Sequence, residues 1–312
     1  MIDNPRFGLG VVSFALNGQF DNPEPNTLVE KVNGLEIPGE RRFIELLAMP
    51  TTQPGNIEKI AKVIKDANYG ITICGFRPGE KTPDMMSADM DEVNRALADV
   101  YVIMDCAKAA GATRVGGPWI RNHGNLTVGD GRYLEYALGE VAKRAEEMKI
   151  YMCMEMLNAF EMRGFNNLDT TLPIIEKVGS NYVLVHMDPA HSLREERSIT
   201  DAAERLYTSG KFGHAHISEL GRGPIGSGIL GGEKLAPFLG TLARLGYGRK
   251  GEVAIVEVFH PSMYDAVKRV DTVGIAQKSP AEQDAFALNE AKQSFQVVRT
   301  AYQAVCDSMN MR

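Results

Sequence analysis

Short apolar runs rich in β-branched residues alternate with segments of helical period along the whole chain, and this alternation limits the fold more than any single motif. The runs are Phe7–Ser13, Arg42–Met49, Tyr69–Phe76, Thr113–Pro118, Ile150–Glu155, Tyr182–Asp188, Phe212–Ile217 and Glu252–Phe259. Between them lie helical segments at Asn26–Val32, Asn56–Ala67, Ser87–Ala110, Asp130–Met148, Thr170–Val178, Thr200–Ser209 and Leu235–Leu245. Ile57, Ile60, Ala61 and Ile64 share one helical face. Ser87 reads as the cap of its segment, with Asp89 and Asp91 in the first turn and Gly111 just past the end. Ala281–Met309 closes the chain as one or two helices.

Eight strand–helix pairs without a long polar linker predict one α/β domain over residues 1–312, a (β/α)8 barrel of the TIM type. A doubly wound open sheet is the competing arrangement. It favours a glycine fingerprint after the first strand, whereas Gly8-Leu9-Gly10 lies inside that strand. In a closed barrel the C-terminal ends of all strands meet on one face, so residues far apart in sequence can serve one site.

Four consecutive strands end in groups able to hold a cation. Tyr151-Met152-Cys153-Met154-Glu155 ends in Glu155; the run from Val183 reaches Asp188, is stopped by Pro189, and is followed by His191. Phe212-Gly213-His214-Ala215-His216 carries two histidines, and Val253-Ala254-Ile255-Val256-Glu257 ends in Glu257. Two glutamates, an aspartate and an imidazole suit Mn2+, Co2+ or Mg2+ better than a thiolate-rich zinc or iron–sulfur site. Open positions on such an ion would accept adjacent oxygens of a hydroxy-ketone, with the ion acting as a Lewis acid on an enediolate. Moving a proton from one face of the neighbouring carbon to the other needs a base and an acid on opposite sides.

Other candidates have plainer readings. His186 lies two residues before Asp188 on the same strand face and reads as a hydrogen-bonded interior histidine; His214 is ambiguous in the same way. Met148, Met152, Met154 and Met156 read as core filler. Glu45 is the one acid of the second strand. His123 and His260 fall in or near rim loops without an assigned role, and Trp119 suits packing and sugar stacking equally.

Composition narrows the partners. The chain is 44% hydrophobic and 24% charged with a net charge of −6, which suits a globular protein and lacks the basic footprint that nucleic acid or an acidic membrane surface requires. Cys74, Cys106, Cys153 and Cys306 are widely spaced and form no CxxC pair, so neither a disulfide framework nor a zinc knuckle is expected. The start, MIDNPRFGLG, lacks a signal-peptide layout, and no apolar run reaches roughly eighteen residues, so the expected compartment is the cytoplasm, with no membrane partner.

The strand ends also carry a family resemblance. Glu155-Met156-Leu157-Asn158-Ala159-Phe160-Glu161 resembles the E-x-L-N-x-F-E segment of ketose 3-epimerases of the D-tagatose/D-psicose type, and Asp188-Pro189-Ala190-His191 resembles their D-x-x-H. Gly213-His214-Ala215-His216, with Arg222 beyond it, resembles their G-H-x-H and arginine; Val256-Glu257-Val258-Phe259 is similar to their final (V/M)-E-x-F. The matches run in order from Ile150 to Pro261 and mark the wider xylose-isomerase-like group of sugar isomerases and epimerases. The resemblance implies that Glu155, Asp188, His216 and Glu257 hold one divalent ion, Mn2+ first, with Co2+ or Mg2+ as alternatives. It implies that Glu155 and Glu257 double as the acid/base pair at C3, that His191 and Arg222 hold the O2/O1 end of a sugar, and that Glu161 adds a hydrogen bond near O1. Donors such as His191 and Arg222 also suit an oxyanion on physical grounds. A homo-oligomer, dimer or tetramer, is implied as well.

The chain departs from that pattern in two places. The first 145 residues carry few of the family's substrate-lining residues, and Gly223–Gly232 (GPIGSGILGG) is an added glycine-rich stretch that reads as a mobile loop without a phosphate-binding pattern. The expected activity is inversion of C3 of a ketose through a metal-bound cis-enediolate. The alternative is a related metal-dependent sugar isomerase, dehydratase or lyase that starts from the same enolisation, such as eliminative cleavage of a 3-keto-glycoside. An endonuclease-IV-like DNA repair enzyme shares the barrel but wants more metal ions and a basic face, which a net charge of −6 opposes. A non-catalytic binding module is the remaining class.

Overall fold

The computed structural model of the protein describes residues 8–18, 23–37, 41–79, 82–121, 123–126, 129–265 and 269–310. Phe7, assigned above to the first strand, lies outside them. The strands are β1 (Gly8–Val12), β2 (Arg42–Ala48), β3 (Gly70–Gly75), β4 (Arg114–Gly116), β5 (Tyr151–Glu155), β6 (Val183–Met187), β7 (Phe212–Ser218) and β8 (Val253–Glu257). They follow one another in chain order around a closed parallel barrel with helices between them, as the alternation predicts. β1, β4, β6, β7 and β8 are buried along their full length, which is why they read as unbroken apolar runs rather than alternating ones.

Local chemistry moves several boundaries. Ser87 is not the cap: the helix is Met90–Ala110, and the Asp89 carboxylate accepts from the Asp91 N–H at 3.0 Å. The Ser87 hydroxyl instead donates to Glu92 at 2.6 Å. The helix expected from Asp130 begins at Leu134, because Asp130 is engaged with the side chain and N–H of Arg132. Pro189 both stops β6 and opens a further helix, Pro189–Glu195. Asp188 caps that helix, accepting from the Ala190 N–H at 2.9 Å. The C-terminal segment is one helix, Pro280–Asn310, packed against helix Gly232–Leu245.

The chain divides into two compact units, Met1–Leu46 with Val63–Gly70 and His216–Arg312, and Leu47–Lys62 with Ile71–Ala215. In the first, β1 pairs with β2 from Leu9–Arg42 to Val12–Glu45, and with β8 from Gly8–Val253 to Val11–Val256. Gly10 is where these strands leave no room. A Cβ there would lie 2.6 Å from the Phe43 carbonyl oxygen and 2.7 Å from Ile255 Cδ1. Glu45 and Glu257 come two residues after Phe43 and Ile255, so strand alternation puts Glu45 on the face of Phe43 and Glu257 on that of Ile255.

In the second unit β3, β4, β5 and β6 pair in succession, and β6 pairs with β7. Val185 partners Phe212, but the next residue, His186, partners His214, so Gly213 is an extra residue on β7. Phe212 and His214 would share a face in a regular strand; the bulge turns them to opposite faces. A Cβ on Gly213 would lie 2.5 Å from Cys153 Sγ and 2.7 Å from Leu184 Cβ. The buried Arg114 guanidinium holds the bulge from the other side, donating to the Gly213 carbonyl at 2.7 Å while lying over the Tyr151 ring at 4.6 Å.

Gly213→Ala should therefore destabilise the protein by about 1–3 kcal/mol through overpacking. Gly139 lies inside helix Leu134–Met148, where an added Cβ meets nothing within 4 Å, so Gly139→Ala should stabilise by about 0.5–1 kcal/mol. Urea midpoints of the two variants against wild type check both signs. A Gly213→Ala protein as stable as wild type would remove the steric basis of the bulge.

Candidate active site

In the second unit, the end of β5 supplies Glu155, and the capped turn after β6 supplies Asp188 and His191. One donor atom from each of the three lies within 4.8 Å of the others, and all three residues are buried. His191 Nε2 is 3.7 Å from one Glu155 oxygen, and His186 Nδ1 is 3.9 Å from the other. Two carboxylates buried this close repel when both are charged, and they are held together at least cost by a cation. This oxygen-rich donor set, with an imidazole beside it, fits a divalent ion of the Mn2+, Mg2+ or Co2+ kind. His186 is the interior histidine its position predicts: Nδ1 accepts from the Gly117 N–H at 2.9 Å, and the ring meets His214 edge-on at 4.7 Å between centroids.

A chain of hydrogen bonds leads away from this cluster through the loop after β5. The Asn158 amide nitrogen faces His191 Nδ1 at 2.8 Å and donates to Glu161 Oε1 at 3.0 Å. Glu161 Oε2 lies 3.1 Å from His123 Nε2. Glu161 is thus engaged by Asn158 and His123, and His123 gains the role that the sequence left open. Phe160, between them in sequence, is 68% exposed, with the Arg194 guanidinium 5.2 Å from its ring.

The first unit holds the remaining candidates. His216 Nε2 lies 2.5 Å from Glu45 Oε2, and its Nδ1 lies 3.6 Å from Glu257 Oε1. Each ring nitrogen of His216 thus faces a carboxylate, with Glu45 the nearer. Arg222 donates to Glu257 Oε2 at 3.0 Å, with its guanidinium 5.3 Å from the Phe259 ring. Glu45 is fully buried, and its place in the second strand suggests no role by itself. Its only signal was a single acid in an otherwise apolar strand.

Glu219, one residue past β7, was also missed. Its buried carboxylate accepts from the N–H groups of Leu220, Gly226 and Leu230 at 3.1, 3.2 and 3.1 Å. The Ile225 N–H donates to Ser294 Oγ at 2.9 Å, and Ile225 and Leu230 are themselves buried. The glycine-rich stretch read as mobile is therefore tied down, and Gly228 is needed because a Cβ would lie 2.7 Å from Glu219 Oε1. Trp119 is fully buried and is a packing residue. His260 caps the short turn Pro261–Met263, with Nδ1 2.8 Å from Ser262 Oγ and Nε2 3.2 Å from Asp284; burial holds its pKa below the ordinary imidazole value despite the nearby carboxylate. No helix among the described residues is long and apolar enough to cross a membrane.

A parallel barrel whose strand ends carry buried carboxylates and histidines defines a class, and the chain belongs to the xylose isomerase-like TIM barrel family, whose profile matches residues 32–286. It is 27% identical over 216 residues to the L-ribulose 3-epimerase of Mesorhizobium japonicum, covering 65% of this chain and 68% of that one. Among solved structures, that of an L-ribulose 3-epimerase superposes with a TM-score of 0.79 at 20% identity over 97% of each chain. The D-psicose 3-epimerase with D-tagatose from Clostridium cellulolyticum H10 gives 0.75 at 20% identity, over 93% of this chain and 99% of that one. By name these relatives are sugar epimerases, enzymes of the isomerase class.

Glu219→Ala should release the glycine-rich loop. Hydrogen exchange at Gly226 and Leu230 should quicken roughly tenfold or more, as loss of an acceptor worth about 1–3 kcal/mol requires. Unchanged exchange would mean that the loop is held by its buried side chains alone.

Proposed function

We propose that residues 1–312 form one catalytic domain that inverts C3 of a ketose. The observation that carries this reading is the register of β6 and β7: Met187 partners Ala215, so the next residues along the two strands are Asp188 and His216. In barrel order β5, with Glu155, precedes this pair of strands, and β8, with Glu257, follows it. On this reading Glu155, Asp188, His216 and Glu257 hold one divalent cation, Mn2+ in preference, because three carboxylates and one imidazole make a hard donor set. Bound there, the ion would supply Lewis-acid polarisation of the sugar carbonyl.

The side chains do the rest. Glu155 and Glu257 take the C3 proton from one face and return it on the other, exchanging base and acid roles with the direction of reaction. His191 and Arg222 donate toward O2 and O1 as charge gathers there, where fixed donors gain most strength. The 3.0 Å bond from Arg222 also orients the Glu257 carboxylate. Glu161 acts through Asn158 and His123 rather than as an isolated substrate ligand. The sugar 3-epimerases among the relatives support the same chemistry.

Incubation with D-tagatose, D-psicose and D-fructose in D2O with Mn2+ tests the activity. Deuterium at C3 together with a new ketose is expected; no exchange with any free ketose would sink the reading and turn attention to the related dehydratases and lyases. Asp188→Asn and His216→Ala should lose bound metal, and with it the rise in Tm that saturating Mn2+ gives the wild type, worth about 2.7 kcal/mol at a hundredfold excess over Kd. Full metal content in both variants by elemental analysis would overturn the ligand assignment. Glu257→Gln should retain some metal and yet exchange no proton.

A further inference from the structure

We infer that Asn158 is a positioning residue that locks His191 in the Nε2–H tautomer, which makes His191 a proton donor in the site and bars it from ligating a metal. Asn158 Oδ1 accepts from the Phe160 backbone N–H at 3.0 Å, and a backbone N–H can only donate. On its other side Nδ2 faces Glu161 Oε1 at 3.0 Å, and a carboxylate can only accept. Rotating the amide by half a turn would set oxygen against oxygen and N–H against N–H, so two independent neighbours fix its orientation.

The second amide proton then points at His191 Nδ1, 2.8 Å away. A proton on Nδ1 would meet that N–H head-on, so Nδ1 carries the lone pair and Nε2 carries the proton. Nε2 is the nitrogen that faces Glu155, at 3.7 Å. His191 belongs by distance to a group with Glu155 and Asp188 that could hold an ion. Its tautomer says otherwise: one nitrogen is occupied by Asn158, and the other is protonated. His216 has no amide neighbour of this kind: Glu45 lies at Nε2 and Glu257 on the Nδ1 side. Glu161 and His123 extend the lock outward, because Glu161 holds the amide and His123 holds Glu161 at 3.1 Å.

The catalytic meaning of the lock rests on the epimerase reading; the tautomer itself does not. The test uses full-length, metal-free protein labelled with 15N-histidine at about pH 8, above the ordinary imidazole pKa. His191 is assigned by difference against His191→Gln. Long-range 1H–15N spectra should give His191 a pyridine-type Nδ1 and a pyrrole-type Nε2. The reverse pattern in wild type would overturn the proposal whatever the variants do. Asn158→Asp replaces the donor with an acceptor and should invert the pattern, whereas an unchanged one would show that something else sets the tautomer. With D-tagatose, the same variant should lose on the order of 10²-fold in C3 exchange rate, the usual cost of one oxyanion donor. An Nε2–H signature in a protein that exchanges no ketose keeps the tautomer and removes the epimerase reading. Exchange with an Nδ1–H signature does the reverse.

Discussion

Partnered residues of neighbouring parallel strands point to the same face, so the extra residue at Gly213 decides which side chains of β7 accompany His186. Without it, the pairing that begins at Val185 and Phe212 would set His214 opposite Met187, on the other face. The bulge can form because Gly213 has no side chain to meet Cys153 and Leu184, and because Arg114 holds its carbonyl from below. A packing constraint at one position of the strand thereby governs which of the following side chains share a face with His186.

Three buried histidines meet three different partners. His186 takes a backbone N–H, His191 an amide N–H, and His216 a carboxylate. Each partner chooses which ring nitrogen keeps a proton, and burial makes the choice binding because water cannot supply an alternative partner. The surrounding loops serve the same end. Asp188 is held by the helix it caps, Asn158 by its own loop, and Glu219 pins the stretch that follows β7. Strand ends carry the buried acids and histidines, and short, hydrogen-bonded turns fix the loops beside them.

Strand positions could be read from the chain because burial on both faces demands apolar, β-branched runs, and Pro or Gly marks where those runs stop. The ends of the helices were harder. Ser87 and Asp89 are both good caps, and the choice between them fell to Glu92, which draws the serine hydroxyl away. Helix Pro189–Glu195 went unread because a proline after a strand signals both a stop and a first helical turn. The glycines of the stretch after β7 suggested freedom, yet Gly228 is there to let Glu219 approach. Glu45 gave no hint of its role, since an acid in an apolar strand is equally consistent with a buried ion pair.

The order of the strands and the acids and histidines at their ends follow from the sequence alone, since both depend on local pattern: period, breakers and the residue type at each terminus. Which atom of each side chain does what was decided only by tertiary structure. Glu45 reaches His216 across 171 residues and Asn158 reaches His191 across 33, so no local pattern encodes either pairing. A ring nitrogen's proton is set by the group a few ångströms away in space, and only folding brings that group there.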